Sequence, residues 1–240
     1  MEKYSTDNPF ILNSAIITFT VVISFLLYHF ISSSKKFKKS IKAHYGKKTY
    51  KVYIVLFRRL LGFFFYGILP VSVISLLGEN LTRYGLSYSN AVQSLKWVVI
   101  LSPVIVLINY LNSGKADNLK MYPQIRKKKW TRSLVFVSAL SWIVYLCAYE
   151  FMFRGILLFS SFYAFGATTA IVINICIYSL VHLPKGIKET FGAIPLGIIF
   201  CILTLKTNSI LVALFVHIVM ALSNEWFSIK AHKKIKIVKK

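Results

Sequence analysis

Tyr149–Gly155 reads Tyr-Glu-Phe-Met-Phe-Arg-Gly and lies inside a long apolar run. On a helix, Glu150 and Arg154 stand four residues apart, share one face and can pair. A charge in a lipid-buried helix costs a few kcal/mol, so a chain keeps one there when it is paired inside the bundle, and most often when it acts. Two further polar residues, His182 and His217, also fall in otherwise apolar segments. These three stretches are expected to converge on one intramembrane site.

The surroundings set the class. The chain has 240 residues, 56% of them hydrophobic, with a mean hydropathy of +0.63. That is well above soluble norms, and several apolar runs approach the ~20 residues that cross a bilayer as helix. The sequence therefore reads as an all-α, polytopic transmembrane helical bundle. A formal net charge of +23 would suit a nucleic-acid binder, but its placement argues for the lipid bilayer instead. Lysines and arginines cluster between the apolar runs and near the C-terminus, as in cytoplasmic loops, where they can also hold anionic lipid. Cys147, Cys176 and Cys201 all fall in apolar segments without a CxxC pair, and read as small core residues.

About seven spans are expected, at residues 10–31, 52–77, 97–112, 142–162, 167–183, 189–205 and 210–227. Glu2, Lys3 and Asp7 precede the first run and lysines follow it, the reverse of a signal peptide, so that run reads as a retained span. An external N-terminus and a cytoplasmic C-terminus put every dense basic segment on one side. Three units follow: residues 1–121 with three spans and basic loops, a four-helix core at 122–228, and a basic tail at 229–240. Within span two, Arg58 and Arg59 are expected to snorkel to the inner interface and Pro70 to kink the helix. Trp130 to about Ser141 reads as the start of an interfacial helix, Tyr122-Pro123 as interfacial anchoring, and Glu225 as facing the inner interface. Gly192, Ala193 and Gly197 should let span six approach its neighbours closely.

The residues left for chemistry are few, with no HExxH, GxSxG or Walker loop among them. Glu150 is either half of a structural ion pair with Arg154 or a carboxylate that polarises water or orients a histidine. His182, at a span end, can be a solvated or backbone-bonded residue; His217, near mid-span, needs a polar partner in any reading. Asn224, seven residues after His217, can donate to an oxyanion or cap the last turn. Glu189 opens a span, where an acid is favourable anyway, yet it lies close along the chain to His182. A carboxylate, two imidazoles and an amide suit activation of water against a peptide carbonyl, or a proton path. No cofactor is implied, and two histidines with a carboxylate are too thin a ligand set for a metal.

Glu-x-x-x-Arg-Gly in one span, Tyr178-x-x-x-His182 in the next and His217 in a later one resemble the CAAX protease and bacteriocin-processing family of glutamic intramembrane proteases. The resemblance covers roughly residues 122–226, and is closest to a branch continuing as His182-x-x-Lys185-x-x-x-Glu189. It implies an intramembrane endopeptidase cleaving a peptide or membrane-protein substrate. Glu150 and Arg154 would match the second Glu and the Arg of the family's Glu-Glu-x-x-x-Arg motif, His182 the histidine that helps activate water, and His217 the histidine assigned to the oxyanion. Two positions depart: Tyr149 replaces the first Glu, and Ala221 stands where an Asn is expected. Either Glu150, with Glu189, takes over the base role, or the chain is a non-catalytic relative acting through a membrane partner, in bacteriocin self-immunity or envelope regulation. A small transporter is the third reading. The lysine- and isoleucine-rich composition points to a bacterial plasma membrane. The sequence sets no oligomeric state.

Overall fold

A computed structural model describes residues 9–238. Among these residues are eight helices and two short strands: α1 (Pro9–Ser33), α2 (Lys35–Leu76), α3 (Ala91–Asn112), α4 (Ala116–Met121), β1 (Lys129–Thr131), α5 (Arg132–Phe165), α6 (Ala167–Leu180), α7 (Ile187–Thr207), α8 (Leu211–Ala231) and β2 (Lys236–Val238). Six of the helices are long and apolar enough to cross a membrane. The chain is a multi-pass membrane protein built as an all-α bundle. The fifth expected span is α6, whose 14 residues rise only about 21 Å, short of the ~30 Å hydrocarbon core.

Helices α2, α3 and α5 begin well before the spans expected at residues 52–77, 97–112 and 142–162. The lysine-rich stretch after Ser34 is not a loop but the first turns of α2, begun by the Ser34 hydroxyl accepting from Phe37 N at 3.0 Å. It is interrupted at Gly46, whose φ of 71° breaks the helical path. Further along, Phe64–Ile68 form a π-helical turn just before Pro70. Proline cannot donate to the carbonyl four residues back and its ring crowds that carbonyl, and a widened turn accommodates both. At this turn a Cβ on Gly67 would lie 2.9 Å from Ala148 Cβ, so glycine is what lets α2 press onto α5.

Helices α5 and α8 run antiparallel. Glu150 meets His217 at one level and Trp142 meets Glu225 eight residues away on each helix, about 12 Å along the seam. The second level corrects two expectations, since Arg59 and Glu225 do not reach an interface. They are 4% and 5% exposed and pair at 3.3 Å. Arg59 also donates to the Ser138 carbonyl (3.0 Å), Ser141 Oγ (2.8 Å) and Gln124 Oε1 (3.1 Å), and stacks 3.9 Å from the centre of the Trp142 ring. Trp142 Nε1 donates to Glu225 Oε2 at 2.7 Å, and Ser138 Oγ donates to Oε1.

Other expectations change with packing. Trp130 does not open an interfacial helix: it sits in β1, fully buried among Val52, Ile125 and Ile229, and α5 begins two residues later. Tyr122 is buried rather than anchored at a lipid surface. Cys201 is buried and Cys147 half-buried, but Cys176 is exposed on α6 and is no core residue. Gly197 makes the close approach foreseen for α7, its added Cβ falling 3.3 Å from the Tyr178 ring, whereas Gly192 has open space.

Removing one partner of a buried ion pair leaves the other charge stranded, at about 3–5 kcal/mol. Arg59→Met and Glu225→Leu should each lower the thermal unfolding midpoint in detergent. The double substitution should recover most of the loss; equal, additive losses would mean the pair is not coupled.

Candidate functional site

The site forms where α5 widens. Residues Phe151–Leu157 make a π-helical turn between Glu150 and Leu158, a distortion frequent at functional sites. Backbone carbonyls shifted out of register by such a turn need new donors in an apolar interior. Asn174 of α6, fully buried, supplies one by donating to the Phe153 carbonyl at 2.7 Å, and Cys201 Sγ of α7 donates to its Oδ1 at 3.3 Å. Gly155 allows the turn to pass the loop after α2, for an added Cβ would stand 2.8 Å from the Tyr84 carbonyl oxygen.

Glu150 and Arg154 are both fully buried. Arg154 Nη1 lies 3.2 Å from Glu150 Oε2 and 3.4 Å from Oε1. Its guanidinium stacks 3.9 Å from the centre of the Tyr178 ring, with Phe200 at 5.3 Å. His217, 7% exposed, places Nδ1 against Glu150 Oε1. A carboxylate held by an arginine is an acceptor, so His217 Nδ1–H donates, and in the neutral ring Nε2 keeps its lone pair.

His182 follows α6, equally buried. Its Nδ1 lies 2.7 Å from the Tyr178 carbonyl oxygen, which can only accept. This imidazole too is therefore protonated at Nδ1 and turns a lone pair out at Nε2. It lies within electrostatic range of Glu150 and His217. A chain of rings joins the two histidines: His182 to Tyr178 at 4.6 Å, Tyr178 to Tyr149 at 6.2 Å, and Tyr149 edge-on to His217 at 5.7 Å.

Tyr149, where the resemblance leads one to expect a Glu, is 8% exposed and walled by Tyr66, Tyr145 and Phe153. Position 149 thus supplies an aromatic side to the site. Ala221, where an Asn is expected, joins the same apolar cluster as Leu146 and Ala148, between the two polar levels of the seam.

The other two candidates have different partners. Glu189 pairs with Lys185 at 3.5 Å and accepts from Tyr122 OH at 3.5 Å, and is only partly buried. Asn224 accepts from Ser228 Oγ at 3.5 Å, and that hydroxyl also receives Asn118 Nδ2 at 2.7 Å. The structure brings together Glu150, Arg154 and His217, adds His182 through the rings, and ties Glu189 and Asn224 to neighbours outside that group. Asn174 was passed over in the sequence, although an amide in the middle of an apolar run was a visible signal. Among the described residues no group of three or more His, Cys, Asp or Glu side chains is arranged to hold a metal ion.

A family model described as type II CAAX prenyl endopeptidase, Rce1-like, matches residues 129–223, from β1 to the last turns of α8. It includes Glu150, Arg154, His182, Glu189 and His217, and leaves out Arg59, Asn224 and Glu225. No curated protein and no solved structure matches the chain. Over residues 129–223, the chain is similar to the Rce1-like type II CAAX prenyl endopeptidases.

Proposed function

We propose that this protein hydrolyses a peptide bond of a peptide or membrane-protein substrate, with water activated at the Glu150–His217 dyad. The observation that carries this is the contact of His217 Nδ1 with Glu150 Oε1, while Arg154 Nη1 stands against the same carboxylate, 3.4 Å from Oε1 and 3.2 Å from Oε2. A carboxylate that fixes the Nδ1–H tautomer leaves Nε2 as a base and steadies the imidazolium formed when it takes a proton, the logic of the Asp–His part of a hydrolytic triad. Water attacks the carbonyl carbon, its proton passes to His217 Nε2, and the imidazolium returns it to the leaving amine. His182, with its own Nε2 lone pair, orients the water. Arg154 keeps Glu150 ionised and in place. Glu189 and Asn224 position the ends of α7 and α8 through Lys185, Tyr122 and Ser228.

The positive-inside rule places the basic segments in the cytoplasm. We therefore read seven crossings with the N-terminus outside, in a bacterial plasma membrane. The half-turn that carries His182 after α6 then lies on the cytoplasmic side of the site, from which a peptide would enter.

The second reading, a non-catalytic relative that binds a membrane partner, is favoured by Tyr149, since an aromatic ring fills the position of the family's first Glu. One experiment separates the two. The protein is reconstituted in nanodiscs and given a mixture of internally quenched peptides. His217→Ala and Glu150→Gln should each lower kcat by about 10²–10⁴-fold at normal abundance, and Glu189→Gln should leave it nearly unchanged. Activity surviving both of the first two substitutions would remove the dyad from the chemistry. Wild-type protein without cleavage, but whose cellular phenotype is lost on His217→Ala, would select the partner-binding reading.

A further inference from the structure

Three basic segments far apart in sequence meet at one corner of the bundle. Strand β1 pairs in parallel with β2, setting Lys129 opposite Lys236. Beside them run Arg126-Lys127-Lys128 and the lysines that follow Gly46 in α2, Lys47, Lys48 and Lys51, all exposed. Trp130 holds the corner together, packed with Val52 of α2, Ile229 of α8 and Ile235 before β2. Like charges directly opposed across strands are destabilising, so a fold that gathers them calls for a counter-ion.

No described residue supplies it. Among the described residues there are five acids, and each is engaged elsewhere: Glu79 with Arg83, Asp117 with Lys188, Glu150 with Arg154, Glu189 with Lys185 and Glu225 with Arg59. At the same corner a groove of about 310 Å³ opens between α2 and α5, lined by Val52, Leu56, Leu134 and Val137 together with Thr49, Tyr53, Lys127 and Ser133. An apolar channel with a cation and a hydroxyl beside it, on the flank of a membrane helix pair, matches an acyl chain below a phosphate headgroup.

We propose that this groove is a specific site for an anionic phospholipid, one acyl chain lying between α2 and α5 and the headgroup phosphate on Lys127 and its neighbours. The basic residues thereby have a defined ligand beyond their general attraction to the membrane surface. The site stands apart from Glu150 and its partners, so it holds whether or not the chain cleaves peptides.

Native mass spectrometry of the whole chain in a neutral detergent tests it, with phosphatidylglycerol and phosphatidylcholine of identical acyl chains titrated separately. Phosphatidylglycerol should be retained at several-fold lower concentration. Lys127→Ala should weaken that retention about fivefold and leave phosphatidylcholine unchanged. Leu134→Trp, which fills the groove, should weaken it also, while Lys206→Ala, a basic residue at the end of α7, should not. Equal retention of the two lipids would overturn the proposal. So would phosphatidylglycerol retention indifferent to both Lys127→Ala and Leu134→Trp, which would mean diffuse charge attraction. Displacement of the lipid by millimolar inorganic phosphate would mean a free-anion site and would equally overturn it. Since the Lys127 side chain is exposed and the residue's contacts to Ile125 and Trp130 are made by its backbone N–H and carbonyl, its substitution tests the headgroup contact without disturbing the fold.

Discussion

Every charge buried among these helices has to find its partner within the protein, because the surrounding hydrocarbon offers none. That constraint shapes the bundle. Glu150 lies between Arg154 on its own helix and His217 on α8, and Glu225 lies between Arg59 of α2 and the donors of α5. Both sets sit on the antiparallel seam of α5 and α8, two turns apart. Two fixed levels define a register, and slipping either helix by a turn would break both. The Glu150–His217 geometry is therefore a consequence of helix packing, with both side chains on rigid elements rather than on loops.

The same packing shapes the walls. The π-helical turn after Glu150 survives because Asn174 answers the Phe153 carbonyl, and α7 comes close because Gly197 lacks a side chain. Tyr178 then serves three neighbours: its ring covers the Arg154 guanidinium and meets the His182 ring, and its carbonyl fixes the His182 tautomer. Tyr149 closes the side toward α2. In such an apolar, aromatic enclosure a charge pair interacts more strongly than in water, which suits a proton transfer that creates an imidazolium beside a carboxylate.

Much of this was legible in the sequence because the relevant signals are local. Hydropathy gave the helical bundle, and the four-residue spacing of Glu150 and Arg154 gave their pairing. What escaped was non-local. Arg59 and Glu225 are 166 positions apart, and each alone looks like a residue near a span end. Trp130 looks like an interfacial aromatic until β2 and α8 close over it. The π turns follow from a balance of packing that no periodicity records. The lysine run after Ser34 was read as a loop because charge suggested solvent, yet lysine is a good helix former and the helix continues to Gly46. The partners of Glu189 and Asn224 were likewise out of reach, since Tyr122 and Asn118 arrive from a distant loop and a short helix.

Glu150 stands where it can fix the tautomer of His217. Nitrogen-15 NMR of histidine-labelled protein in nanodiscs, with His217 assigned by His217→Gln, reads that tautomer directly. The His217 ring should be protonated at Nδ1, with a strongly downfield Nδ1 proton that moves upfield in Glu150→Gln. A ring protonated at Nε2, or one averaging between tautomers regardless of Glu150, would contradict it.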